Sequence, residues 1–230
     1  MPIRELVALP QMPPQSNGVH RTSTMTLDAS GNLSGDVHEV RNGDFGLSER
    51  YSLKSVTRDA DKVKHIETLL AHSMANFRLT KASVTNLQQY SLPFMYDYSL
   101  VSTDYAKNAG GLLLVRPHLI GSWSSDLLET KEPRKFPVEF DGPQANSEDS
   151  RIILPVGYTV DDLPPPVDVE FSFGSYHSKT EASGSVLHYT RSMEIRELSV
   201  PVGKLEELKK FYRIINGDER STAVLKPAGQ

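Results

Sequence analysis

The sequence predicts an α+β fold dominated by β-structure, with antiparallel, sandwich-like sheets and two amphipathic helices. Three observations predict it: apolar residues alternate over most of the chain, Gly, Asn and Pro break those runs at short intervals, and only two stretches repeat apolar residues at three and four. A chain of 230 residues is long enough to bury a substantial core as one large domain or two small ones. Hydrophobic residues at 38 % and charged residues at 23 % set it among ordinary globular proteins.

In chain order, residues 1 to 18 are Pro-rich and read as a connecting arm in which Leu6, Val7 and Leu9 could add a short strand. Met25 and Leu27, the turn run from Asp28 to Asn32, then Leu33, Val37 and Val40 read as a hairpin. The stretch Phe45 to Val56 fits both strand and short helix, with helix preferred because Leu47 and Tyr51 are four apart. Thr57 is a candidate N-cap for an amphipathic helix near 58–76, whose stripe is Val63, Ile66, Leu70, Met74 and Phe77. Strands follow at 79–87, 94–101 and 112–115, closing a β-rich unit over 1–117.

Residues 118–136 read as a connection containing Trp123 and the charged run Glu129 to Arg134. A second β-rich unit covers 137–230, with strands at 138–140 and 151–154. The segment LPVGYTVDDLPPP is expected to be an extended loop, because each Pro removes a donor and restricts its predecessor. Val167, Val169, Phe171 and Phe173 alternate on one face. Ser175 to Thr180 and Ser185 to Thr190 form a hairpin around residues 181–184. Pro201 opens a second helix near 201–216 with the stripe Leu205, Leu208, Phe211 or Tyr212, and Ile215; Asn216 and Gly217 supply its stop, and Thr222 to Leu225 a last strand.

Several function classes are disfavoured at this level. A net charge of −4 with interspersed signs offers no basic stripe for nucleic acid or a membrane surface. The absence of cysteine removes disulfides, thiolate metal sites and every cysteine-nucleophile mechanism within the chain. The opening MPIRELVALPQMPP lacks the charged and apolar regions of a signal peptide, and no apolar stretch reaches the length of a membrane span. Phosphate-binding glycine loops, HExxH and GxSxG are missing, so no cofactor and no catalytic residue is expected.

Two constellations remain as candidates. With a loop at 181–184, His177 would face His188 and Tyr176 would face Tyr189, and a cross-strand imidazole pair can seed a metal site. Zinc needs three or four ligands and no carboxylate stands at suitable spacing, so packed or solvated histidines are the simpler expectation. His20 and His38 are offset by two residues on the first hairpin, and His65 and His72 read as solvated. Tyr90, Phe94, Tyr96, Tyr98 and Tyr105 cluster as a glycan- or peptide-binding platform would, with Trp123 a further candidate. Alternation of Phe94, Tyr96 and Tyr98 fits one buried strand face better. The acid pairs Asp161–Asp162 and Asp218–Glu219 read as turn and cap residues, and Asn32-Leu33-Ser34 fits a glycosylation sequon.

The succession ELVALPQMPPQSN, LDASGNLSGDV, a charged helix, SVTNLQQYSLPFMYDYSL, LLLVRPHLIG, RKFPVEF, LPVGYTVDDLPPP, LHYTRSMEI and a closing helix ending INGDERSTAVL resembles a known arrangement. It is similar to the region that follows the transglutaminase-like cysteine core in bacterial envelope proteins carrying an uncharacterised N-terminal β-domain. The resemblance implies a non-catalytic accessory role, a periplasmic or outer-surface location, and a partner in the upstream core or another envelope protein. None of the family's Cys, His and Asp triad carries over, since no position here matches it. Two other readings stand beside it: a glycan- or peptide-binding β-sandwich, and, least favoured, a metal-dependent hydrolase using His177 and His188.

Overall fold

The structure, a computed structural model, describes residues 12–123, 125 and 133–229. The arm carrying Leu6, Val7 and Leu9 and most of the run Glu129 to Arg134 lie outside the described residues. The elements are β1 (Gly18–Leu27), β2 (Leu33–Asn42), α1 (Gly43–Leu53), α2 (Asp59–Lys62), α3 (Lys64–Ala71), β3 (Phe77–Thr85), β4 (Phe94–Ser102), β5 (Lys107–Ala109) and β6 (Leu112–Val115). They continue with β7 (Val138–Glu139), β8 (Gln144–Ile153), β9 (Tyr158–Asp162), β10 (Val167–Phe171), β11 (Gly174–Ser183), β12 (Val186–Ile195), β13 (Ser199–Val200), α4 (Leu205–Glu219) and β14 (Ala223–Pro227).

One eight-stranded sheet runs β10-β11-β12-β8-β1-β2-β4-β3 and takes strands from both the 1–117 and the 137–230 units. Its neighbours pair antiparallel except at the centre, where β1 and β8 are parallel with Arg21 beside Glu148 and Ser23 beside Ser150. Parallel pairing needs a long crossover, and here more than a hundred residues separate the two strands. A four-stranded sheet, β5-β6-β14-β9, and the two-stranded β13-β7 complete the β-structure.

Alternation gives the large sheet two unlike faces. On the covered face, Met25, Leu27, Val37, Phe94, Tyr96, Ile152 and Leu187 are buried against Ile66 and Leu70 of α3 and against Leu113, Val115 and Leu225 of the second sheet. At the β10-β11-β12 end, Phe173, Tyr176, Met193 and Ile195 meet Leu208, Phe211 and Ile215 of α4. Phe211 meets Phe171 and Phe173 edge-on at 5.8 and 5.6 Å. The opposite face carries His20, Thr22, Asp36, His38, Asp97 and Asp149 and has no layer over it among the described residues.

Four sequence expectations change. The helix near 58–76 is two pieces, broken at Val63 and ending at Ala71; Arg58, not Thr57, is its N-cap and makes no side-chain cap bond. Met74 is buried from a turn and Phe77 opens β3, so a helical spacing was satisfied by residues of three different elements. With α1 present, the α-helices among the described residues number three, plus the single turn α2. The LPVGYTVDDLPPP segment contains β9, paired with β14, because Pro155 and Pro164 to Pro166 all fall outside the strand. The last helix runs through Asn216 and Gly217 to Glu219, since tertiary bonds to Asp218 and Glu219 hold its final turn.

Glycine substitutions separate close approach from open space. A Cβ on Gly18 would stand 1.8 Å from the carbonyl oxygen of Ala145 on β8, so Gly18→Ala must push β1 off β8. In urea melts it should cost about 1–3 kcal/mol. Gly217 has nothing within 4 Å and lies inside α4, so Gly217→Ala should raise stability by about 0.5–1 kcal/mol.

Candidate functional site

Inward-facing positions of the central strands are not all apolar. Arg191 on β12 lies beside Glu148 on β8, Glu148 beside Arg21 on β1, Arg21 beside Glu39 on β2, and Glu39 beside Tyr96 on β4. Strand pairing therefore lines up one row across five strands, alternating in sign over the first four and ending on the neutral Tyr96, and every member of it is buried. Arg191 Nε donates to Glu148 Oε2 at 2.9 Å, and Arg21 Nη2 to Glu39 Oε2 at 2.6 Å. Arg21 Nη1 stands 4.0 Å from Glu148 and donates to the Ile120 carbonyl at 2.9 Å.

The row continues into helices at both ends. Arg41 Nε donates to Glu39 at 2.6 Å and its Nη1 to Glu49 of α1, which also accepts from the Tyr96 hydroxyl at 3.0 Å. At the other end Arg191 Nη1 donates to Glu219 of α4 at 2.7 Å, and its guanidinium lies 3.7 Å from the centre of the Trp123 ring. Glu219 also takes the Ser122 hydroxyl at 2.6 Å and the Trp123 amide at 2.7 Å. Next to it, Asp218 accepts from Tyr176 at 2.5 Å and Tyr189 at 3.0 Å. Segment 116–123 is tied over the row: His118 Nε2 donates to Gly121 at 2.5 Å and its Nδ1 lies 3.4 Å from Glu148.

Burial would push the Glu148 carboxyl up, but Arg191, His118 and Arg21 outweigh it and hold the group well below its ordinary range. Glu39 is lowered the same way: burial opposes, and Arg21 and Arg41 win. Burial acts downward on Arg21 and Arg191, yet the neighbouring carboxylates raise both. Burial raises Tyr96, Tyr98, Tyr176 and Tyr189, which stay neutral. The hydroxyls nearest the row, Ser23 and Ser150, form a chain ending on Glu148, at 2.8 and 3.2 Å. Such an arrangement neutralises charge and ties strands, helices and loop together.

The residues singled out from sequence separate in space. β11 and β12 are joined by a two-residue turn at Gly184, with φ +57°, and not by a loop over 181–184. The register shifts accordingly. His177 pairs with Ser192 and His188 with Glu181, so the two imidazoles do not meet. His177 Nδ1 binds Asp168 and His188 Nε2 binds Asp149, each at 2.9 Å. Among the described residues no three His, Cys, Asp or Glu side chains are grouped to hold a metal. His20 and His38 are offset by two, as expected, with His20 opposite Val40.

The aromatic set divides as well. Phe94, Tyr96 and Tyr98 are core residues and present no surface. The Tyr105 hydroxyl donates to the carbonyls of Arg116 and His118 at 2.6 and 3.2 Å, and Trp123 packs over Arg191. Tyr90 alone is well exposed, beside the Arg50 guanidinium at 5.5 Å. Arg21, Glu39, Arg41, Glu148, Arg191 and Glu219 were not singled out from sequence. Parity was the available signal, since Arg21 is in phase with Met25 and Leu27, Glu39 with Val37, and Glu148 with Ile152.

Residues 111–225, half of the chain, match the family model described as a domain of unknown function with solved structure, DUF3858. The chain belongs to that family. No curated protein and no solved structure matches it. The DUF3858 region begins at Gly111, just before β6, and ends at Leu225 in β14, so it holds Glu148, Arg191, Glu219 and Trp123. Arg21 and Glu39 stand on strands that precede it, and the buried row crosses the boundary at the parallel β1–β8 pair.

Removing one partner from a buried ion pair leaves an uncompensated charge, so Arg191→Met should cost about 3–5 kcal/mol in denaturant melts. The double variant Glu148→Gln with Arg191→Met should cost less than the sum of the two single changes. The folded-state values of Glu148 and Glu39 lie below the ordinary 4.5. Their contribution is therefore complete above about pH 4.5 and declines as pH falls toward the folded values. Urea midpoints measured from pH 7 to 3 should fall with acidity, and less steeply in Glu148→Gln.

Proposed function

We propose that this chain is a non-catalytic accessory module of a bacterial envelope protein of the transglutaminase-like type, which packs on the upstream core or presents a surface to an envelope partner. The observation that carries the reading is the commitment of the interior charges to one another. Glu39, Glu148 and Glu219 each bind a guanidinium, and Tyr176 and Tyr189 both bind Asp218. Catalysis needs a base free to take a proton or a nucleophile paired with one; these buried carboxylates and tyrosines are bound to partners and brace the fold. The order of segments along the sequence supports the transglutaminase-like assignment, and with it a periplasmic or outer-surface location. Membership of DUF3858 is compatible with such a role and names none. An accessory module of this kind needs no cofactor.

A second reading, a peptide-binding module, has one observation in its favour: the exposed Tyr90 shares a cleft with the exposed Leu47 and Leu92. It is a way of performing the accessory role rather than a competitor to it. Glycan binding would need several exposed rings, and five of the six aromatics considered for it are core or are used internally.

The test is association in trans. Titrated into a separately expressed transglutaminase-like core in a calorimeter, the chain should bind saturably with a dissociation constant of about 10 µM or tighter. Deleting it from the parent protein should lower the parent's melting temperature. Turnover of an amide or ester by the chain alone, abolished by one substitution, would refute the proposal, as would a deletion that changes neither stability nor association.

A further inference from the structure

Arg50 differs from the other buried arginines. It lies in the last turn of α1, is 6 % exposed, and pairs with no carboxylate among the described residues. Its Nη2 donates to the carbonyls of Leu92 at 2.6 Å, Asn86 at 3.2 Å and Gln89 at 3.3 Å, and its Nε to Asn86 at 3.3 Å. The guanidinium lies between the rings of Tyr90 at 5.5 Å and Phe94 at 5.7 Å. Four hydrogen bonds thus clamp the 86–93 loop onto α1 in one shape. Nη1 makes none, and it sits beside Gly46, where a built Cβ would approach it to 3.2 Å. A buried cation whose partners are all neutral, and which keeps an unused donor, suits an anionic ligand.

The surroundings are suited to more than an ion. Arg50 lines a cleft of about 600 Å³ between the first turn of α1, at Asn42 and Gly43, and the 86–93 loop. Leu47, Tyr90 and Leu92 wall it and are 49, 64 and 47 % exposed, so three exposed apolar side chains meet in one cleft. The first turn of α1 already has its own acceptor, since the Asp44 amide donates to Asn17 Oδ1 at 3.0 Å. Arg41 also lines the cleft, but Glu39 and Glu49 already neutralise it. The one acid on the lining, Asp44, also borders a separate cleft, with Oδ2 3.9 Å from the Cβ position of Gly142. Arg50 and Asp44 are thus the lining charges without an ion-pair partner among the described residues, and of the two only Arg50 is held by the 86–93 loop.

We propose that this cleft binds an acidic peptide segment, with a carboxylate on the Arg50 guanidinium and with apolar neighbours against Leu47, Tyr90 and Leu92. Tyr and Arg are among the residues that dominate binding energy at protein interfaces, and a pre-formed loop loses little entropy on binding. The inference rests on the interaction-module reading and gives that module a recognition surface.

The test is an NMR titration of the whole chain with acetyl-Leu-Asp-Glu-Leu-amide, its uncharged counterpart acetyl-Leu-Asn-Gln-Leu-amide, and inorganic phosphate. Saturable shifts at residues 43–47, at residues 86–93 and at Arg50 Nε are expected with the acidic peptide. The amide counterpart should bind at least tenfold more weakly, and added salt should weaken the acidic peptide. Leu47→Asp, at an exposed site, should reduce binding tenfold or more with an unchanged melt; Tyr90→Ala should reduce it several-fold. Arg50→Lys tests the guanidinium directly, and the Leu47 variant keeps the test valid should the loop loosen. Absence of cleft shifts overturns this inference even where the chain still binds the core, whereas loss of core binding alone counts against the module reading. Phosphate binding as tight as the peptide, or peptide shifts only elsewhere, overturns it too.

Discussion

The fold depends on keeping an alternating row of charges dry. Moving each ion from water into the interior costs several kcal/mol, and only close opposite charges with further hydrogen bonds offset that. Here each central ion has opposite charge on both sides: Arg21 lies between Glu39 and Glu148, and Glu148 between Arg21 and Arg191. The arrangement constrains pairing strictly. A one-residue slip of β8 against β1 would turn Glu148 to the open face, and a two-residue slip would set it beside Val19 or Ser23. Apolar side chains of similar volume would tolerate such slips better. The row therefore selects one register at the point where the sheet has least local help, its only parallel pair among the described residues.

That location has a consequence for how the chain divides. The DUF3858 region includes β8, β12 and α4, while β1, β2 and α1 precede it. Neither side satisfies its charges alone. Without β1, Glu148 would keep Arg191 and lose Arg21; without β8, Arg21 would keep Glu39 alone. The apolar core says the same, because Ile152, Leu187 and Leu225 pack with Met25, Leu33 and Phe94 in one cluster. The family match thus marks a stretch of sequence, and the folding unit is wider than that stretch.

Much of the local structure was legible in the sequence. Strands with alternating apolar residues, such as Phe94 to Ser102, fell where the pattern placed them, and the stripe of α4 at Leu208, Phe211 and Ile215 is buried as read. What was not legible depended on partners far along the chain. A hairpin of two possible loop lengths differs by four residues in register, and Gly184 chose the shorter, which separated His177 from His188. α4 outran its Asn216–Gly217 stop because Tyr176, Tyr189 and Arg191 hold Asp218 and Glu219. Charges in phase with apolar residues were visible all along, at Arg21, Glu39, Glu148 and Arg191. Each reads as an interruption by itself, and only strand order reveals that they neutralise one another.

Arginine has two different uses in this molecule, and the contrast separates scaffold from surface. Arg21, Arg41 and Arg191 are spent on carboxylates, so a change in solvent or ligand finds no free charge there. Arg50 is spent on carbonyls, which orient it without cancelling it. The exposed pairs of the open sheet face, His38–Asp97 and His188–Asp149, form a third class. Ion pairs in water contribute roughly 0–1 kcal/mol and are screened by salt, so they neither hold the sheet nor recognise anything tightly. Recognition needs charge that is fixed, desolvated and unpaid by a neighbour. Among the arginines described, the one at the α1 cleft meets all three conditions, and it does so where the exposed Leu47, Tyr90 and Leu92 supply apolar area.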